Sequence, residues 1–141
     1  MTRDIPALIA LIEARSQRGF RWQRGRDCAS FAAACIAAQT GTDPLADLPR
    51  WRTRREALAV ARSLDGLQSA MDALLMPIAP ALAQRGDIAG VIATGSDRCF
   101  GIRLMVVEGA TLVAPEKRGL ERLRREEMAF AWSLSAERAD G

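Results

Sequence analysis

Apolar positions recur at helical spacing through the first half of the chain. Ile5, Leu8, Ile9, Leu11 and Ile12 form one such stretch. Pro6 suits its first turn, and the pattern predicts a helix ending near Gly19. The stretch "FRWQRG" then reads as a loop with two aromatics to pack inward, and Gly25 as a turn position. Asp27 fits the N-cap of a second helix from Cys28 to about Gln39, closed by Gly41. That helix is alanine-rich (Ala29, Ala32, Ala33, Ala34, Ala37, Ala38), so it can approach a sheet closely. "TGTDPLADLPRW" reads as a loop. Thr53 with Glu56 opens a third helix to about Leu64, and Asp65 with Gln68 a fourth to Met76, where Pro77 and Pro80 end it.

After "AQRGD" the period changes. "DIAGVIAT", "CFGIRLMVV", "ATLVA" and "MAFAWSL" are short, β-branched or alternating, and separated by turn residues. In the second of these, Phe100, Ile102, Leu104 and Val106 share a core face. Cys99, Gly101, Arg103 and Met105 share the other, so something closely packed or polar should lie opposite it. Helices over about 4–76 followed by strands over about 87–135 predict one α+β domain spanning 1–141. Its N-terminal half is helical, and its central helix packs on a small curved antiparallel sheet. No repeat or linker interrupts it.

Composition narrows the chemistry. The 141 residues include no histidine, which removes the commonest general base and metal ligand. Three cysteines with no Cys-x-x-Cys spacing offer no ligand set, so neither metal nor cofactor is expected. The net charge of +3 is carried almost wholly by arginine. Arginines cluster over 15–26, 50–55 and 118–125, but acidic residues dilute the third group and tyrosine is absent. Solvated faces explain these clusters better than nucleic acid does. No apolar run is long enough to span a membrane, and the N-terminus does not read as a secretory signal. Trp22, Trp51 and Trp132 are expected as packing anchors, and Gly86 and Asp87 as the turn and cap that start a strand.

Cys28 carries the chemical question, because a thiol at a helix N-terminus is favoured as thiolate. The order Trp22-x-x-Gly25-x-Asp27-Cys28, then Arg85-Gly86-Asp87, then Phe100-Gly101-Ile102 resembles the NlpC-type cell-wall cysteine peptidases, a branch of the papain-like fold. A closer resemblance is to a small family encoded in the tail-gene clusters of long-tailed phages. It is carried by Gly25–Cys28, Thr40–Pro44, Arg85–Asp87, Gly101–Ile102, Gly119–Leu120 and Ala131–Trp132.

The resemblance implies a papain-like fold with a vestigial site at Cys28, Cys99 and Val113. Cys99 stands where the family histidine belongs, and Val113 where a polar residue orients it. No catalytic residue is therefore expected. The family geometry would bring the Cys28 and Cys99 thiols together, free in a reducing compartment. Cys35, two turns along from Cys28, is expected as a small core residue.

The function implied is a structural or assembly component of the phage tail tip, a dead NlpC-like pseudo-peptidase. It would be made in the host bacterial cytoplasm and located in the virion tail. Its partners would be other tail-tip or hub proteins, with peptidoglycan contact besides, and no nucleic acid or membrane. The alternative is an active peptidoglycan amidase or endopeptidase with Cys28 as nucleophile and a non-histidine base. Asp87 and Asp97 are the candidates for that base. Arg103 can stabilise a thiolate but cannot accept a proton. A third reading has the old cleft reused to bind a peptide or a lipid.

Overall fold

A computed structural model describes residues 3–16, 27–116 and 119–134. Among them are four α-helices, α1 (Ile5–Arg15), α2 (Cys28–Thr40), α3 (Arg54–Ser63) and α4 (Leu67–Leu74). Six strands follow: β1 (Met76–Ile78), β2 (Ile88–Ile92), β3 (Ile102–Val107), β4 (Thr111–Glu116), β5 (Gly119–Arg124) and β6 (Phe130–Ser133). They form one open sheet in the order β1-β6-β2-β3-β4-β5, antiparallel at every pairing. The protein is α+β, with all four of these α-helices preceding a single sheet. The expected turn at Phe20, Trp22 and Gly25 and the expected helix end at Gly19 lie outside the described residues.

The helix termini follow local chemistry. The Asp4 and Asp27 carboxylates cap α1 and α2 by accepting from the amides of Ala7 and Ser30, and Thr53 caps α3 through the Glu56 amide. Gly41 closes α2 in the left-handed conformation. The fourth helix departs from expectation. Its N-cap is Gly66, with no side-chain cap, and Asp65 takes a positive φ of 62° outside the helix. The chain also leaves α4 at Leu74, so Met76 and Pro77 belong to an edge strand paired with β6. Proline is compatible with such an edge, where its missing N–H costs no ladder bond.

The sheet is buried on both faces. Towards the helices, Leu104 and Val106 of β3, Val113 of β4 and Trp132 of β6 pack with Leu8, Phe31, Cys35 and Ile36. On the other face, Ala89, Met105, Val107, Leu112 and Ala131 pack with Ala83 and Met128 from connecting segments. The alternation predicted for β3 therefore holds from Ile102 onward. Trp132 is buried and donates its indole N–H to Asp72 Oδ1 at 2.9 Å.

The far end of α2 is pinned to the start of β2. Gln39 Nε2 donates to the carbonyls of Cys35 and Gly86, at 3.0 and 2.9 Å. Gly86 sits at φ 92°, and a Cβ there would stand 2.1 Å from Gln39 Oε1. Gly86→Ala combines a backbone penalty with displacement of a buried amide, and should lower unfolding free energy by about 2–4 kcal/mol. Urea denaturation measures this; a loss under about 1 kcal/mol would show that the contact relaxes freely.

Candidate functional site

Cys28 is the first residue of α2, set there by the Asp27 cap. The carboxylate of Asp27 is almost wholly buried. One oxygen accepts from the Ser30 amide at 2.8 Å and the other from the Trp51 indole N–H. Burial pushes the Asp27 carboxyl above its usual range, against the opposing pull of those donors and of Arg15. With both oxygens engaged, Asp27 is a structural cap.

Among the described residues, two groups meet the Cys28 sulfur. Arg103 Nε donates to it at 3.4 Å, and the thiol is placed to donate to the Pro115 carbonyl at 3.9 Å. Arg103 is held from three sides, since it also donates to the Pro115 carbonyl at 3.0 Å and pairs with Glu121. Register explains the geometry. Arg103 leads β3, while Pro115 and Glu121 lie on the adjacent β4 and β5, so the guanidinium reaches across two strands under the foot of α2. Burial pushes the Cys28 thiol up; Arg103 pulls it down by less, and the carboxylates of Asp27 and Asp97 add to the rise. The favourable helix terminus and guanidinium thus do not offset desolvation, and the thiol keeps its proton at neutral pH.

Cys99 sits elsewhere than the resemblance implies. Cys99 does not lie on β3 against Cys28. It belongs to a 3-10 helix over Gly95–Phe100, is exposed, and accepts from Arg54 at 3.5 Å. Gly101, at φ 78°, turns the chain before the strand begins at Ile102. The strand therefore starts three residues later than its alternation suggests, and Arg103 takes the place opposite the thiol. Val113 is fully buried in the helix-facing core, paired with Val106 and Arg122. Cys35 is fully buried, and its thiol is pushed up to about 12 by burial. None of the three cysteines forms a disulfide.

Of the carboxylates weighed as bases, Asp87 lies beyond reach. It adjoins Gly86, which Gln39 holds at the opposite end of α2. Eleven helical steps lead from Cys28 to Gln39, about 16 Å. Asp97 does share a cavity with Cys28 and Arg103. That cavity, about 400 Å³, runs between α2, α3, α4 and the 95–100 turn, and apolar side chains make most of its wall. Cys99 is not among its lining residues. Among the described residues no cluster of His, Cys, Asp or Glu could hold a metal ion, and no helix is long and apolar enough to cross a membrane.

A family model described as a domain of unknown function (DUF6950) matches residues 3–134. The chain belongs to that family. No curated protein matches it. The boundaries of the DUF6950 match have a structural counterpart. Arg3 and Leu134, its first and last residues, meet on one buried carboxylate, that of Asp87. Sequence reasoning read Asp87 as the cap of a strand; its role in joining the two ends of the DUF6950 region was not legible, because both partners are more than 45 residues away.

Thiol labelling tests the closed environment of Cys28 in this DUF6950 domain. With iodoacetamide at neutral pH, the exposed Cys99 should react first, and Cys28 and Cys35 slowly. Cys28 labelling should rise as pH climbs above the ordinary thiol value of about 8.5. Peptide mass mapping reads the order; Cys28 reacting as fast as Cys99 at neutral pH would contradict a protonated, screened thiol.

Proposed function

We propose that this domain is a non-catalytic relative of the NlpC-type peptidases that serves as a structural or assembly component of a long-tailed phage tail tip, in contact with other tail-tip or hub proteins. One observation supports the loss of catalysis most directly. Among the described residues, the groups within hydrogen-bond distance of the Cys28 sulfur are a guanidinium and a backbone carbonyl, and neither can take a proton at neutral pH. A thiol nucleophile needs a base within about 3 Å to carry its proton. The location in a tail rests on the sequence resemblance, and so does the virion as its destination.

The competing reading, an amidase or endopeptidase with Cys28 as nucleophile, has Asp97 in its favour, since that carboxylate lines the same cavity. It would need a large upward shift to match a thiol. The experiment has two arms. Purified protein and its Cys28→Ala and Asp97→Asn variants are incubated with peptidoglycan, and released stem peptides are measured by mass spectrometry. No release above buffer is expected from any of them. Purified virions are analysed in parallel, where the protein should be present and bury an interface of at least about 1,000 Å². Turnover abolished by Cys28→Ala, or absence from virions, would overturn the proposal.

A further inference from the structure

We propose that the cavity beside Cys28 is a binding site for one uncharged, apolar small molecule of roughly ten to fifteen carbon atoms. The proposal goes beyond the non-catalytic reading and does not rest on it, since it concerns the cavity wall and not the proton of the thiol.

The size of the space comes first. About 400 Å³ lies within the range of small-molecule sites. An apolar cavity of about 150 Å³ takes one benzene, so this one has room for about two to three such units. It is also deep. Leu74 on α4 is 40% exposed, whereas Ile102 and Leu104 on β3 are only 5% and 4% exposed, yet all three line it. The cavity therefore passes from the surface, between the helices, to the helix-facing side of the sheet. A partner protein resting on α3 and α4 would reach that floor only with a long side chain, whereas a small molecule enters whole.

The wall selects an uncharged occupant. Aliphatic side chains of α2, α3, α4 and β3 make most of it. An ionised group brought against such a wall loses its water and needs a partner there. Asp27 and Arg103 line the cavity but are already engaged, Asp27 with Ser30 and Trp51, and Arg103 with Glu121 and Pro115. Asp97, the other charged lining residue among those described, is half-buried and stays within reach of water. Exposed sequence neighbours of the lining residues carry both signs, Arg50, Arg52 and Arg98 against Asp43, Asp47 and Asp65, so the surroundings favour neither an anion nor a cation. Water finds few partners along a wall of this kind, and an apolar guest displaces it at little cost.

Cys28 gives the site its own reporter, because it lines the cavity and the exposed Cys99 does not. The full chain is titrated with N-phenyl-1-naphthylamine, an uncharged dye that brightens in apolar surroundings, and binding should saturate at one molecule per chain. Decanol should displace the dye at about tenfold lower concentration than decanoate or decyltrimethylammonium, each kept below its solubility or micelle limit. Across hexanol, octanol and decanol the displacing concentration should fall by up to about fourfold per methylene. At about pH 9, saturating decanol should slow alkylation of Cys28 by iodoacetamide at least about fivefold and leave Cys99 unchanged. Ala29→Leu and Ala70→Leu, with folding verified by circular dichroism, should each weaken the dye about tenfold by filling the space. The proposal falls if the dye does not saturate, if either charged homologue displaces it as well as decanol does, if Cys28 is not protected, or if both folded leucine variants keep full affinity. The alkylation arm uses the unaltered chain, so it decides even where a leucine variant does not fold.

Discussion

Asp87→Ala should cost about 3–5 kcal/mol of unfolding free energy, the range expected when one member of a buried ion pair is removed. The Asp87 carboxylate is almost fully buried. One oxygen accepts from the Arg3 guanidinium and from the Leu134 amide at 3.2 Å, the other from the Gln84 amide at 2.7 Å. Alanine would leave a guanidinium that is only 9% exposed without its counter-charge, and two amides without an acceptor. It would also release both ends of the DUF6950 region at once, since Arg3 precedes α1 and Leu134 follows β6. Arg3 further donates to the Arg85 carbonyl and the Asp4 amide to the Gln39 carbonyl, so the N-terminal segment would keep these ties. A double-mutant cycle with Arg3→Ala, read by urea unfolding, should return a coupling of about 1–3 kcal/mol. Additive losses would mean that the pair contributes only through burial.

Asp27→Ala should destabilise by about 2–3 kcal/mol. The loss sums a helix cap, about 1 kcal/mol, and a buried indole N–H left without an acceptor, about 1–3 kcal/mol, less the recovered cost of burying the carboxylate. The same residue sets a pH dependence. Burial raises the Asp27 carboxyl in the folded state, so the native protein binds this proton more tightly than the unfolded chain does. The stability it contributes is then fully present below the ordinary carboxylate value of about 3.9 and is lost as pH rises through the raised folded value. Asp27→Asn keeps an oxygen for the Ser30 amide and removes the titration. The stability of the wild type relative to Asp27→Asn should therefore fall as pH rises from below the ordinary carboxylate value through the raised folded one. Denaturation curves across that range settle the sign, and a difference that stays flat or grows with pH would refute the assignment.

Much of the fold was legible because its signals are local. Three of the four helix starts follow from side chains that cap amides three residues on, and the end of α2 from Gly41. The alternation in β3 gave its core face correctly from Ile102 onward. Errors arose where two local signals competed. Asp65 with Gln68 has the form of a cap, yet the chain turns through Gly66 instead, where φ is 96°. The "CFGI" segment alternates like a strand, yet Gly101 takes a conformation that breaks it. β5 and its glycine start were hidden because the charged run Glu121–Arg125 reads as a solvated surface. An edge strand with one side facing water has that composition.

The α+β class, the cap that places Cys28 at a helix terminus and the absence of histidine can all be read along the chain. These depend on residue type and on spacing within one or two turns. It took the folded chain to show that Arg103 stands over Cys28 while Cys99 meets Arg54, that Asp87 joins Arg3 to Leu134, and that a cavity lies between α2, α3 and α4. Those outcomes depend on strand register and on the distance between packed helices. Such quantities are fixed by the sum of contacts far apart in the chain, and no short stretch encodes them.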